Sequence, residues 1–66
     1  MQLTVNGHVE SGEDLRTVAD LLRHHGLAGQ PCAVEVNATL VPKRDHDAYE
    51  LTDGDRVEIV TLVGGG

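Results

Sequence analysis

The most restrictive stretch in this chain is its opening, where Leu3 and Val5 alternate with Gln2 and Thr4 and the run breaks at Asn6-Gly7. Alternation with a period of two places one face of a strand against a core and leaves the other to water. Asn-Gly favours the type I′ turn, whose twist matches that of paired strands, so His8-Val9-Glu10 is expected to run back beside the first strand. A chain that opens on a hairpin with one apolar face needs a layer to cover that face. Ser11-Gly12-Glu13-Asp14 then reads as a polar connection.

The covering layer comes next. Thr17 is a good helix N-cap, and Asp20 three residues later supports it by its charge, although Glu would complete a better capping box. Val18, Leu21, Leu22 and His25 recur at helical spacing on one face. Gly26 is placed to end the helix in the left-handed conformation, with Leu27 folding back as its hydrophobic contact. The expected helix spans residues 18 to 25, short enough that packing must hold it.

After the loop Gly29-Gln30-Pro31, alternation returns from Cys32 to Asn37. Asn37-Ala38 is expected to be a tight turn into the short strand Thr39-Leu40-Val41, at a cost of roughly 1 kcal/mol if Ala38 must take a positive φ. Pro42 closes that strand, Lys43 to Tyr49 has room for a single helical turn, and Asp53-Gly54-Asp55 marks another turn. Arg56 to Val63 forms the last strand. The reading is an α+β domain: a mixed sheet of four to five strands with one main helix on one face, the last strand pairing in parallel with the first at the centre.

Parity then sorts the sheet residues. Leu3, Val5, Cys32, Val34, Val36, Val57 and Ile59 are expected to face the helix; Gln2, Thr4, Ala33, Glu35, Glu58, Val60 and Leu62 are expected to face away. Val60 and Leu62, with Glu35 and Glu58 nearby, would form a partly apolar, acid-rimmed docking patch on the open face. Beyond it lies Val63-Gly64-Gly65-Gly66, a stalk with no β-carbon for three residues. The domain is thus read as residues 1–63, with 64–66 as a flexible tail that is mobile in the isolated protein.

Charge and size narrow the functions available. Eleven acidic against five basic residues give a formal charge of -6, which disfavours nucleic acid and anionic membranes and suits a basic protein surface. At 66 residues the chain has little room for an enclosed substrate pocket. The start lacks a secretory pattern, so the expected location is the cytoplasm. Cys32 is the single cysteine and reads as a small buried hydrophobe. His24 and His25 point about 100° apart on the helix, and His8 and His46 lie in other elements, so no metal site is expected. Asp53 and Asp55 flank a turn and read as structural. Tyr49 reads as a core-edge residue with its hydroxyl in water.

Taken together, these segments resemble the ThiS family of thiamine-biosynthesis sulfur carriers, ubiquitin-like β-grasp proteins. The markers are Met1-Gln2-Leu3-Thr4-Val5-Asn6-Gly7, Thr17-Val18-Ala19-Asp20-Leu21-Leu22, Ala33-Val34-Glu35-Val36-Asn37, Val41-Pro42, Asp53 to Val60 and Val63-Gly64-Gly65-Gly66. The resemblance covers essentially the whole chain and is looser over Lys43 to Glu50. It implies that a ThiF-like adenylyltransferase of the ubiquitin-activating type, using ATP and magnesium, joins the Gly66 carboxylate to AMP. Sulfur from a cysteine desulfurase persulfide would then give a thiocarboxylate, which a ThiG-like thiazole synthase would consume. Gly64 and Gly65 would give access to the partner active sites. The chain itself would be a protein co-substrate rather than an enzyme and would bind no cofactor. Two further readings stay open: a sulfur carrier for molybdopterin synthesis, and a ubiquitin-like modifier or interaction module.

Overall fold

A computed structural model of the chain describes residues 1–62. The elements run β1 (Gln2–Val5), β2 (His8–Ser11), α1 (Val18–His24), β3 (Cys32–Val36), β4 (Thr39–Val41), a 3-10 turn at Lys43–Asp45, and β5 (Arg56–Thr61). The five strands form one mixed sheet in the order β2-β1-β5-β3-β4. β5 is central, parallel to β1 and antiparallel to β3. The strand that leads to the glycines is therefore held on both sides.

Local chemistry explains where the elements start and stop. The β1–β2 hairpin turns through Asn6 and Gly7, both at positive φ (49° and 85°), the signature of a type I′ turn. Asn37 and Ala38 repeat it at 52° and 69°, so Ala38 does occupy the costly left-handed region. At α1, the Thr17 hydroxyl accepts from Asp20 N–H at 3.1 Å, while the Asp20 carboxylate accepts from Thr17 N–H at 3.0 Å, completing the capping box with Asp in place of Glu. The two N–H groups before Asp20 also find partners, Val18 donating to Tyr49 O and Ala19 to His46 O. These bonds fasten the start of the helix to the 46–51 segment and satisfy donors that a short helix otherwise leaves open.

The helix ends one residue earlier than its periodicity suggests. His25 is the C-cap and is exposed, with its Nε2 2.8 Å from Glu10 Oε1, instead of joining the buried face. Gly26 (φ 71°) donates to Arg23 O and Leu27 to Leu22 O, a Schellman closure that turns Leu27 back onto the core. Three other boundaries move. β3 stops at Val36 because Asn37 is already in the turn, and β5 stops at Thr61, with Val63 outside the described residues. β2 extends through Ser11, which sequence reading gave to the connection.

Parity across the sheet holds. Leu3, Val5, Val34, Val36, Val57 and Ile59 are buried against Val18, Leu21 and Leu22 of α1. Cys32 is half-buried at the core margin rather than fully buried. Leu15 and Leu51 join the core without any periodic signal, because each lies alone in a polar stretch. Tertiary pairing seats them: Leu51 N–H donates to Arg16 O at 2.7 Å, and Thr17 bridges to Glu50. No described helix is long and apolar enough to cross a membrane.

Candidate functional site

The open face of the sheet can be read row by row from the strand registers. Val9 stands opposite Thr4, and Thr4 opposite Arg56, in the first row. Glu58, Glu35 and Leu40 form the second, and Val60 with Ala33 the third. Leu62 follows just past the end of β5, its N–H donating to Pro31 O at 2.9 Å. Charge thus changes along the central strand from Arg56, through Glu58, to the apolar Val60 and Leu62.

The four side chains expected to form a docking patch are all exposed and share this face. Val60 is 58% and Leu62 54% exposed, values at odds with a core role and suited to contact with a partner. Glu35 and Glu58 are directly opposite each other in the β3–β5 ladder. Like charges directly opposite each other destabilise a sheet. A basic partner surface would relieve that repulsion as it docks. Thr4, Glu35, Asn37, Arg56 and Glu58 line an open groove of about 510 Å³ at the far end of the same face.

Two further apolar residues belong to the face and were not singled out from sequence. Val9 (66% exposed) and Leu40 (60% exposed) lie on β2 and β4. Their side is fixed by the Thr4–Val9 and Glu35–Leu40 pairings, so the signal existed only in a register that turn chemistry could supply.

The remaining candidate residues have structural partners. Asp55 accepts from Thr52 N–H at 2.7 Å and from Asn37 Nδ2 at 2.9 Å, while Asp53 accepts from Gln2 N–H at 2.6 Å. Both carboxylates brace the turn that leads into β5. His46 is buried, and its Nε2 donates to Val41 O at 3.1 Å, which fixes the proton on that nitrogen. Sequence reading placed His46 in a loop without assigning it this anchoring bond. Tyr49 is exposed rather than seated at the core edge, and its carbonyl serves the helix cap. The N–H bond from Thr17 holds the Asp20 carboxyl below its usual value of 3.8, helped by the bond from Arg16 N–H and the nearby Arg23 and opposed by desolvation.

Gly64, Gly65 and Gly66, the access and reactive positions expected from sequence, lie outside the described residues, as does the expected mobility of that tail. The structure takes β5 to Thr61 and the chain to Leu62.

Comparison with known proteins agrees with this architecture. The sulfur carrier protein ThiS of Bacillus subtilis is 38% identical over 65 residues, covering 97% of this chain and 98% of that protein. A thiazole synthase of Paramagnetospirillum magneticum is also 38% identical over all 66 residues, but this chain spans only 20% of its length. A thiazole synthase of Magnetococcus marinus, 33% identical, is matched over the same one-fifth share. The crystal structure of the thiamine biosynthesis protein ThiS from Geobacter metallireducens superposes with a TM-score of 0.81 at 33% identity, covering all of both chains. That likeness identifies the mixed sheet and single helix as a β-grasp. The profile of the ThiS family matches residues 3–66, and the chain belongs to that family.

Proposed function

We propose that this protein is a sulfur carrier of thiamine biosynthesis, acting as a co-substrate of partner enzymes. The observation that carries the reading is the match to a bacterial sulfur carrier over nearly the full length of both proteins, within a family profile that runs through the three glycines. The reactive group is the α-carboxylate of Gly66. A carboxylate is a poor acyl donor, so it is first activated. Its oxygen attacks the α-phosphate of ATP on a ThiF-like adenylyltransferase, with magnesium, and pyrophosphate leaves. The terminal sulfur of an enzyme persulfide then attacks the acyl carbon of the mixed anhydride, AMP departs with the carboxylate oxygen, and a thiol reductant cleaves the resulting acyl disulfide, which leaves the thiocarboxylate on Gly66 and returns the enzyme's thiol.

Gly64 and Gly65 carry no side chain to block approach to a narrow active site, which supports reaction at two different enzymes. Val60, Leu62, Glu58 and Glu35 supply the docking contacts. The two thiazole synthases that contain a segment similar to this whole chain support a ThiG-like acceptor, since there a carrier-like segment and a thiazole synthase share one polypeptide. The chemistry resides in ATP-using machinery, so the working compartment is the cytoplasm.

Intact mass after incubation with ATP, magnesium, a ThiF-like enzyme, a persulfide source and a thiol reductant tests the proposal. An oxygen-to-sulfur gain localised to Gly66 is expected. No gain, or isopeptide adducts on lysines, would sink it. Consumption of the product by the large molybdopterin synthase subunit instead of thiazole synthase would redirect the pathway while preserving the carrier chemistry.

A further inference from the structure

β5 continues past the point where its parallel neighbour leaves. β1 ends at Val5, and its last backbone bond to β5 is from Asn6 N–H to Val57 O at 2.9 Å. Two residues on, Ile59 turns its N–H and C=O toward the same side, where no strand remains. Both are taken by one side chain: Asn6 Oδ1 accepts from Ile59 N–H at 2.8 Å, and Asn6 Nδ2 donates to Ile59 O at 3.3 Å. An amide supplies an acceptor and a donor together, so Asn6 stands in for one further residue of β1. The left-handed backbone of its turn (φ 49°) swings the side chain to that place.

The other type I′ turn carries a counterpart at the opposite end of β5. Asn37, also the first residue of its turn, accepts from Arg56 N–H at 3.0 Å and donates to Asp55 Oδ1 at 2.9 Å. One asparagine clasps the start of the central strand and the other its second half. Only the Asn6 clasp adjoins Val60 and Leu62.

We propose that Asn6 is a positioning residue for sulfur loading: by clasping Ile59, it fixes the end of β5 and the docking side chains Val60 and Leu62 beside it. This rests on the carrier reading above. A strand end held in advance spares the partner enzyme the cost of ordering it during adenylation. Thr61, two residues later, has no bond to β1 or its turn, so among the described residues Ile59 is the last anchor on that side.

Asn6→Gly tests the idea, because glycine accepts the left-handed turn and removes only the clasp. Asn37→Gly is its control, with the same turn type and a comparable clasp lost at the other end. Amide hydrogen exchange is expected to quicken by about tenfold at Ile59, whose N–H loses its acceptor, and at Leu62, whose N–H donates to Pro31 O, in Asn6→Gly, leaving Val34 and Val36 unchanged. ATP–pyrophosphate exchange with the ThiF-like enzyme, run well below either melting midpoint, is expected to lose about tenfold in kcat/KM for Asn6→Gly and little for Asn37→Gly. Equal losses in the two variants, or none, would overturn the positioning role while the carrier reading stands. A wild-type protein that supports no exchange would overturn the carrier reading itself. If Asn6→Gly does not fold, Asn6→Asp replaces it, with Asn37→Asp as control. Aspartate keeps the acceptor for Ile59 N–H but turns a second oxygen on the Ile59 carbonyl, and the same two measurements decide.

Discussion

Ala38 and Asp20 show how single residues set this domain's margins in opposite directions. Ala38 sits at φ 69°, where its Cβ crowds the backbone. Glycine would remove that strain at the expense of a freer unfolded chain, so Ala38→Gly is expected to raise stability by up to about 1 kcal/mol. A higher denaturant midpoint at unchanged slope would register it. Asp20 works through its charge. Its folded pKa lies below the ordinary 3.8, so its contribution is complete above that value and is lost as pH falls through the lowered one. Asp20→Asn should therefore melt below wild type at neutral pH, and the difference should shrink as both are acidified below 3.8. A gap that stays constant into acid would assign the effect to shape rather than charge. The residue to which both caps belong, Thr17, was legible in sequence because N-cap chemistry is local. His46 was not, because its partner is a carbonyl of β4 that only folding brings near.

Among the elements, α1 depends most on its surroundings. Seven residues cannot sustain a helix in water, and here the capping box, the carbonyls of Tyr49 and His46, and the Schellman closure satisfy its ends while three side chains enter the core. Leu21 is fully buried at the centre of that contact. Leu21→Ala is expected to cost about 2–5 kcal/mol, comparable with the roughly 3–5 kcal/mol that a core this small supplies. Loss of the cooperative thermal transition in circular dichroism would show it; a transition within a few degrees of wild type would contradict it. Two of the boundaries that sequence misplaced, at His25 and Asn37, are places where a residue of the turn continues its neighbours' pattern. His25 continues the helical spacing, but it serves as the cap because Gly26 turns the chain one residue later.

For the molecule as a whole, the division of the sheet into a covered and an open face separates stability from recognition. Val60→Asp places a charge where the side chain already meets water, so the fold is expected to persist with a melting midpoint near wild type. Affinity for the ThiF-like enzyme is expected to drop by about tenfold or more, as for a central apolar contact of an interface. Titration by calorimetry with parallel thermal melts checks both halves. Unfolding of the variant would mean that Val60 packs inward, and unchanged affinity would remove it from the docking surface. Glu35 opposite Glu58 fits the same division, since a pairing unfavourable in the free sheet becomes useful against a basic partner.

Sequence alone determined the hairpins, the helix and its caps, and the covered and open faces of β1, β3 and β5, because each follows from period, turn chemistry or capping within a few residues; the place of β5 at the centre follows from the order of these elements along the chain. The acid-rimmed patch of Val60, Leu62, Glu58 and Glu35 was legible for the same reason: parity along one strand and its neighbour assigns a side. Tertiary structure alone decided what depends on residues distant in the chain. It brought Leu15 and Leu51 into the core, added Val9 and Leu40 to the open face through their registers, and buried His46 against Val41. It also placed the Asn6 amide on Ile59, 53 residues away, where β1 has turned aside and β5 still needs a partner.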